Sequence, residues 1–231
     1  MSDVKPRRKI KSFVKRSGRL SKAQAIGLNE LWNDYGINLN GKLLNFEELF
    51  LNQNNVTLEV GFGNGDSLLE TAIHQPNQNF LGIEVYEAGV GRLINEANKN
   101  QLVNLKIIKD DAVEVLNNNI PDDSISHFQL FFPDPWHKKR HHKRRIVQTS
   151  FLDLLSKKLK NNGIVHIATD WENYAEHIME TLESHSHFKN CAGDHIYSPR
   201  SEQRPLTKFE NRGQKLGHGV WDIIFTNLKG G

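Results

Sequence analysis

The sequence predicts an α/β protein built on a mainly parallel β-sheet with helices on both faces. Short apolar runs alternate regularly with amphipathic helical stretches, and the runs are apolar at consecutive positions rather than at every second one, as in strands that are buried on both faces. At 231 residues the chain is long enough for one such domain with a substantial core. A final apolar run follows a long connection, and we expect it to enter the sheet antiparallel, near the C-terminus.

The predicted elements begin with two helices ahead of the sheet. Ser21 is typical of a helix N-cap, and it predicts a helix whose apolar face includes Ile26, Leu31, Trp32 and Tyr35. The remaining predictions are a short helix over 46–51, strands over 56–60, 80–85, 105–108, 125–132, 164–168 and 219–225, and helices over 67–74, 87–99, 112–118, 146–160 and 171–184.

The chain has no internal repeat and no low-complexity linker, so we predict a basic, flexible N-terminal arm over residues 1–20 and a single domain over residues 21–231. One cysteine excludes an internal disulfide framework and leaves too few thiols for a structural zinc site, and no metal site is predicted. No apolar run approaches the roughly 18 to 20 residues of a membrane span, and the N-terminus is charged where a signal peptide would be apolar. We therefore expect a cytoplasmic protein that does not bind membranes.

The charge of the chain is concentrated in two segments. Residues 1–22 carry a net charge of +8 and residues 137–145 carry +6, whereas the whole chain carries only +3, which leaves −11 for the remainder. An acidic domain with two basic segments is suited to binding a polyanion at chosen places, and this favours a nucleic acid as the partner. The alternative is a disordered basic leader followed by one solvated loop.

Three glycines follow the first predicted strand in the stretch LEVGFGNGDS. Ligands of parallel sheets bind at the carboxyl ends of the strands, and Gly61, Gly63 and Gly65 would let the backbone turn sharply and approach a ligand there. The spacing is G-x-G-x-G rather than the dinucleotide pattern G-x-G-x-x-G. Glu59 stands in the same strand, beside a bound group that would have to be cationic or rich in donors, so a pyrophosphate would be repelled.

Acidic residues also end the next two predicted strands. Glu84 lies at the end of the second strand, where a carboxylate can accept both hydroxyls of an adenosine ribose. Asp110 and Asp111 follow the third strand, where they can meet an adenine edge. An acid at a strand end is often only a helix cap, but these acids in register, with no Lys or Arg in the first turn, favour S-adenosylmethionine over NAD. S-adenosylmethionine has a ribose, an adenine and a sulfonium in place of phosphates.

The fourth strand runs into FFPDPWHKKRHHKRR, which places one carboxylate at the edge of a basic run. Pro133 and Pro135 stiffen the turn and hold Asp134 at the sheet edge, beside the methyl group of the cofactor; the alternative is a rigid proline turn with an unrelated acid. Trp136 can pack on the cofactor or on a base. The basic run is expected to lie outside the pocket, to leave cofactor affinity unaffected and to hold a phosphate backbone, through Arg140, Lys143, Arg144 and Arg145.

Seven stretches together resemble the bacterial tRNA (guanine-N7)-methyltransferase family: LEVGFGNGDS, GIEVY, DAVEVL, FFPDPWHKKRHHKRR, TDWENYAEHI, RPLTKFENRG and GHGVWDIIF. The resemblance spans nearly everything from the first helix to the last strand, and its least generic parts are PDPWHKKRHHKRR and TKFE. It implies a Rossmann-like class I methyltransferase fold with a seven-stranded sheet, S-adenosylmethionine as the cofactor and tRNA as the partner. It also implies the variable-loop guanine at tRNA position 46 as the target. No obligatory protein partner is evident, so we expect a monomer or a homodimer.

The resemblance assigns residues to the cofactor and to the substrate, position by position. Glu59, Glu84, Asp111 and Asp134 are implied as cofactor contacts. Gly61, Gly63 and Gly65 are predicted as cofactor-binding residues from their place after the first strand. Asn211 stands where a basic residue is expected, so one phosphate contact is not carried over. The implied substrate contacts are Lys138, Asp170, Thr207, Lys208, Phe209 and Glu210.

The chemistry of guanine N7 agrees with these residue types. N7 carries a lone pair and no proton, so its methylation is an in-line displacement that needs no strong general base and leaves a cationic base. Positioning and electrostatics must therefore carry the catalysis. Carboxylates from Asp134, Asp170 or Glu210 could accept from guanine N1–H and N2–H2 and stabilise the developing charge. Asp134 ranks first as the catalytic residue, because it is expected nearest the methyl group.

Three functions are left open by the sequence. The first is methylation of guanine N7 in tRNA, the second is S-adenosylmethionine-dependent methylation of another nucleic-acid atom such as an exocyclic amine, and the third is a noncatalytic RNA-binding module. The order Pro-Asp-Pro-Trp disfavours the second, since the amino-methyltransferase loop Asn/Asp-Pro-Pro-Tyr/Phe has its aromatic residue one position later. Acids at all four strand ends disfavour the third.

Overall fold

The computed structural model describes residues 11–14, 19–201, 204–205, 210 and 219–229. Within them, seven strands form one β-sheet. The strands are β1 (Val56–Val60), β2 (Asn79–Ile83), β3 (Leu105–Ile108), β4 (Ile125–Phe131), β5 (Leu159–Thr169), β6 (Phe188–Asn190) and β7 (Trp221–Asn227).

Helices precede, connect and cover these strands. A 3-10 helix, Lys139–Arg144, lies between β4 and β5. The α-helices are α1 (Lys22–Asn29), α2 (Trp32–Tyr35), α3 (Phe46–Phe50), α4 (Asp66–His74), α5 (Glu87–Lys99), α6 (Ala112–Asn118), α7 (Thr149–Lys158) and α8 (Glu172–Glu183).

The strand order is β3-β2-β1-β4-β5-β7-β6. The first five strands of that order pair in parallel, whereas β7 runs antiparallel to both β5 and β6. The predicted fold class is therefore confirmed, including the antiparallel strand near the C-terminus. Because the order changes direction between β1 and β4, the carboxyl ends of these strands flank the switch point, where open parallel sheets bind their ligands.

Two apolar clusters cover the two faces of the sheet. One includes Leu58, Phe128 and Tyr174 and joins the sheet to α6, α7 and α8. The other includes Phe80 and Leu93 and joins it to α2, α4 and α5. Strands buried on both faces must be apolar at consecutive positions, which is why the sequence lacks the alternation of a half-exposed sheet.

The helix predicted after Ser21 is wrong in extent, because it breaks at residues 30–31. Ser21 does cap α1, in a reciprocal capping box with Gln24, but the helix ends at Asn29 and α2 starts afresh. The break redirects the chain so that the Ile37 N–H donates to the Ile107 carbonyl at the edge strand β3. Strand β6 was not predicted, and β5 begins directly after α7 rather than at residue 164. Within the described part of the chain, no helix combines the length and the apolarity needed to span a membrane.

Candidate active site

A cavity of about 280 Å³ opens at the carboxyl ends of β1, β2, β3 and β4. Its size is at the lower end of small-molecule sites, roughly 300 to 1,000 Å³. The walls come from the strand ends, from the loop that carries Asp134, and from an N-terminal strap, residues 11–14, which lies far from the sheet in sequence. Lining residues that bear on the chemistry are Ser12, Phe13, Gly61, Gly63, Glu84, Asp110 and Asp134.

The glycine loop, residues 61–65, needs its glycines for two different reasons. Gly61, Gly63 and Gly65 all have φ between 57° and 77°, a region that other residues rarely adopt. A Cβ atom at Gly61 or Gly63 would meet no atom within 4 Å, so this backbone faces open space in the cavity. A Cβ atom at Gly65 would lie 2.9 Å from Leu93 on α5, so this glycine permits close helix packing.

Helix α5 supports the glycine loop through residues that the sequence analysis missed. A Cβ atom at Gly89 would lie 1.8 Å from the carbonyl oxygen of Gly63, so only glycine allows the first turn of α5 to approach the loop. Arg92, one turn later, donates to the Asn64 carbonyl and to the Asp66 carboxylate, both at 2.6 Å. Glycine inside an otherwise helical pattern is the signal that could have revealed Gly89.

Glu84 is fixed at the cavity wall by backbone donors. Its Oε2 accepts the N–H of Gly63 at 2.8 Å, and its Oε1 accepts the N–H groups of Val85 and Tyr86 at 2.6 and 3.0 Å. The side chain is only 8% exposed. Three charge-assisted hydrogen bonds orient the carboxylate and link the end of β2 to the glycine loop, while Oε2, which accepts only one of them, retains capacity to accept from a ligand.

Glu59 lies behind the cavity rather than on its wall. It is 3% exposed, and among the described residues its Oε2 has no hydrogen-bond partner. Burial, and then the nearby charge of Glu84, raises the pKa of the Glu59 carboxyl to about 8. An orphaned buried carboxylate oxygen is costly, and it fits a site that is completed by a cationic or donor-rich ligand.

The two acids after β3 have different environments. Asp110 lines the main cavity. Asp111, which the resemblance implied, caps α6 by accepting the Val113 N–H at 3.2 Å, and it lies 3.6 Å from the ammonium of Lys11. Asp111 borders a smaller adjoining cavity of about 90 Å³, which Asp110 also lines. Asp110 is therefore the acid of this pair that faces the main cavity.

The loop from Phe132 to Trp136 presents Asp134 at the cavity in a strained backbone. Phe132 and Trp136 have φ of 52° and 49°, and bulky residues held there cost on the order of 1 to 3 kcal/mol each. Phe132 is tied to β5 through its N–H, which donates to the Ala168 carbonyl at 2.7 Å. Asp134 itself is exposed and lines the cavity. Strain that persists at such a loop is consistent with a site that positions a group for chemistry.

Arg145 holds this loop from inside the protein. It is 3% exposed, its Nε donates to the Pro135 carbonyl at 2.9 Å, and its Nη2 donates to the Asn173 side chain at 2.8 Å. The guanidinium also stacks 4.7 Å from the ring of Tyr174. The position predicted to contact phosphate thus lies within the fold, where its donors are used by protein acceptors.

The other cations of the basic segment, residues 138–145, divide into two groups. Lys138, Lys139, Arg140 and Lys143 are exposed and form a surface suited to phosphate. Arg144 turns instead toward the N-terminal strap, and its Nε donates to the Lys11 carbonyl at 3.0 Å.

The substrate residues implied by the resemblance are only partly within the described chain. Asp170 follows β5 and is partly exposed. Glu210 is buried, with its two oxygens 2.6 and 2.7 Å from the guanidinium of Arg204, which also binds the Asp222 carboxylate. Thr207, Lys208 and Phe209 lie outside the described residues. Among the residues that are described, no group of three or more His, Cys, Asp or Glu side chains is arranged to hold a metal ion.

Comparison with known proteins agrees with this arrangement. A family model described as "Putative methyltransferase" matches residues 53–223. The chain is 51% identical over 222 residues to the tRNA (guanine-N(7)-)-methyltransferase of Shewanella amazonensis, covering 96% of this chain and 93% of that protein. It is 53% identical over 227 residues to the protein of the same name from Vibrio parahaemolyticus, covering 98% and 95%.

Solved structures share the fold at much lower identity. The 16S rRNA methyltransferase KamB matches with a TM-score of 0.60 at 16% identity, covering 80% of this chain and 93% of that chain. A 16S rRNA (adenine(1408)-N(1))-methyltransferase matches with a TM-score of 0.56 at 16% identity, covering 83% and 96%. These neighbours show the class I methyltransferase fold, and the curated relatives show the family. The chain belongs to the tRNA (guanine-N7)-methyltransferase family.

Proposed function

We propose that this protein transfers a methyl group from S-adenosylmethionine to N7 of guanine in tRNA, at the variable-loop position 46. One observation carries the proposal most directly: the exposed carboxylate of Asp134 lines the cavity at the strand ends, and an exposed basic surface begins four residues later at Lys138. The cavity, which suits a small molecule, and the basic surface, which suits a polyanion, are therefore close in the chain, and Asp134 lies between them. The names of the curated relatives support tRNA and guanine N7 as the substrate and its atom.

The residues of the cavity fit S-adenosylmethionine. The open glycine backbone at Gly61 and Gly63 allows close approach of a ligand, and the fixed carboxylate of Glu84 can accept from ribose hydroxyls. Glu59, with its orphaned oxygen behind the glycine loop, suits a cofactor whose methionyl part carries positive charge. Asp110 is better placed than Asp111 to contact a base, since it lines the main cavity.

The proposed chemistry requires little proton transfer. S-adenosylmethionine, when bound, supplies a methyl group on a sulfonium centre. Guanine N7 has a lone pair and no proton, so this chain need not provide a strong general base. Asp134 would hold the guanine edge and stabilise the positive charge that develops on the ring. We propose Asp170 as a second contact to that edge, because Asp170 follows the neighbouring strand β5.

Contacts to the tRNA are proposed from exposure. Lys138, Arg140 and Lys143 are exposed in the segment that follows the Asp134 loop and would bind phosphates. Glu210 is saturated by Arg204, so we propose that it contributes to the substrate site by anchoring the adjoining residues. Thr207, Lys208 and Phe209 remain proposed substrate contacts from the resemblance to the family.

Nucleoside analysis of methylated tRNA tests the proposal. The protein would be incubated with a tRNA transcript and S-adenosylmethionine labelled in its methyl group, and label should be recovered as 7-methylguanosine. A matched transcript with guanine 46 replaced by adenine should remain unlabelled. Label in a different nucleoside would instead identify a methyltransferase acting on another nucleic-acid atom. RNA binding without any label would identify a binding module and overturn the proposal.

A further inference from the structure

The N-terminal strap, residues 11–14, forms part of the cavity wall although it is distant in sequence from the strand ends. Ser12, Phe13 and Val14 line the main cavity, opposite glycines and acids contributed by the sheet. Phe13 also lines the smaller adjoining cavity beside Asp111. The charge pattern places this region in a basic arm suited to a nucleic acid, yet three consecutive residues here line the proposed cofactor site.

Two residues of the Asp134 loop and the basic segment hold the strap in place. Arg144 donates from Nε to the Lys11 carbonyl and from Nη2 to the Phe13 carbonyl, both at 3.0 Å. Trp136 donates its indole N–H to the Ser12 carbonyl at 3.1 Å. Three successive carbonyl groups of the strap are therefore engaged by side chains that lie more than 120 residues away in sequence.

The two holding side chains also stabilise each other. The guanidinium of Arg144 stacks 3.8 Å from the centroid of the Trp136 ring, which is a favourable cation–π geometry. The far end of the strap is attracted to the sheet as well, since the Lys11 ammonium lies 3.6 Å from the Asp111 carboxylate. Two of the five N–H donors of Arg144 are thus used by strap carbonyls, and one face of its guanidinium is covered by Trp136.

We propose that Arg144 and Trp136 form a latch that closes the N-terminal strap over the bound cofactor, and that Arg144 is a positioning residue of the cofactor site rather than a phosphate contact. The identity of the cofactor rests on the proposed function. The basic segment then has two separate tasks, because Lys143 faces outward while its neighbour Arg144 faces the strap. This differs from the expectation that the whole basic run leaves cofactor affinity unaffected.

Calorimetric titration of tRNA-free protein with S-adenosylmethionine tests the latch, with Lys143→Ala as the matched control. Arg144→Ala should weaken cofactor affinity by roughly 10-fold, because two hydrogen bonds from a charged donor and one stacking contact are lost. Lys143→Ala removes the adjacent charge and should leave that affinity unchanged. Arg144→Lys keeps the charge but lacks the planar guanidinium fork that reaches the Lys11 and Phe13 carbonyls and stacks on Trp136, so it should lose nearly as much as Arg144→Ala.

The dependence of tRNA affinity on salt concentration is a second measurement, in which Lys143→Ala and not the Arg144 variant should differ from wild type. Lys143→Ala should flatten the slope by roughly 0.7 to 0.9, as expected for one phosphate contact, whereas Arg144→Lys should keep the wild-type slope. A double-mutant cycle combines Arg144→Ala with Phe13→Ala. Phe13→Ala should weaken cofactor affinity in the wild-type background but have little added effect in the Arg144→Ala background, because the strap is already released there.

The outcomes separate the latch from the cofactor assignment. Wild-type protein that binds no S-adenosylmethionine would overturn the assignment of the cofactor. Wild-type affinity in Arg144→Ala, or full additivity with Phe13→Ala, would overturn the latch while leaving the cofactor assignment intact. A flattened salt slope in Arg144→Ala with unchanged cofactor affinity would make Arg144 a phosphate contact, as the basic run predicts. Should Arg144→Ala fold poorly, Arg144→Lys and Phe13→Ala still decide between these results.

Discussion

The cofactor side of the site and the basic segment differ in the sequence separation between the residues that form their main hydrogen bonds. Glu84 reaches a glycine only 21 residues away and otherwise bonds to its own neighbours. Arg144 reaches the strap across 133 residues. Because the contacts of Glu84 are close in sequence, its role can be predicted from the motif around it. The six cations of the basic segment look alike in the sequence, and their separate roles depend on partners that are distant in the chain.

The basic segment shows what such a difference means for function. Cations that are equivalent by sequence are divided by the fold into an outward group, a latch residue and a buried residue. Lys138 and Lys143 are exposed, Arg144 binds the strap, and Arg145 is enclosed beneath the Pro135 turn. Net charge alone therefore overstates how much of this segment is available to RNA.

The largest expected effect lies where the two regions meet. Asp134→Asn keeps the shape of the side chain but removes its charge, and we expect the turnover number to fall by roughly 100- to 1,000-fold. Affinity for tRNA should change by less than about threefold, because exposed cations dominate binding. Single-turnover kinetics and binding titrations measure the two quantities, and equal losses in both would make Asp134 a binding residue only.

The second prediction concerns the cofactor side and its response to pH. The folded-state pKa of Glu59 is raised from 4.5 to about 8, so protonated Glu59 contributes stability that is fully present below about pH 4.5 and is lost as pH rises to about 8. The glutamine side chain of Glu59→Gln does not ionise, so this variant keeps the same stability over that pH range. The cofactor-free variant should therefore exceed wild type in unfolding free energy at pH 8 by on the order of 3 kcal/mol, and the two should converge near pH 5.

Denaturant titrations at several pH values follow this difference. The comparison between variant and wild type cancels the other titrating groups, because both proteins share them. A difference that does not vary with pH would mean that Glu59 is ionised in the fold. The same variant should bind S-adenosylmethionine more weakly, since glutamine cannot take on the negative charge that a cationic ligand nearby would favour on Glu59.

A third prediction tests the buried member of the basic segment. Arg145→Ala leaves the Pro135 carbonyl and the Asn173 side chain without their donor, and it should lower the unfolding free energy by about 2 to 3 kcal/mol. Lys139→Ala, at an exposed position of the 3-10 helix that ends just before Arg145, should change it by less than about 0.5 kcal/mol. Chemical denaturation measures both, and similar values for the two would show that Arg145 is not holding the Asp134 loop.

The smallest expected effect belongs to the outward group. Replacing both Lys138 and Lys143 by alanine should reduce the slope of log affinity against log salt by roughly 1.4 to 1.8, with cofactor affinity unchanged. Fluorescence titrations of labelled tRNA across a range of salt concentrations would show it. If this double variant kept the full wild-type slope, the exposed lysines would not contact phosphates of the tRNA.

Sequence reasoning succeeded where physical constraints are local. The glycine loop, the cap at Ser21, and the consecutive apolar runs of the strands follow from backbone conformation, hydrogen bonding and burial within a few residues. The helix break after α1 was missed because its cause is the pairing of Ile37 with the distant edge strand. Gly89 was missed because its contact with Gly63 depends on how a helix packs on a loop.

The amino-acid sequence by itself determined the fold class, the alternation of β1 to β5 with their connecting helices, the acidic strand ends and the resemblance to a family, since each is encoded in periodicity or in a contiguous motif. Only the tertiary structure decided that Asp110 rather than Asp111 faces the main cavity, that Glu210 is sealed by Arg204, and that Arg144 is turned toward the strap. The physical reason is that the identity of a charged residue in the sequence does not reveal whether its side chain contacts solvent, phosphate or a buried partner. Its environment is set by contacts between segments far apart in the chain.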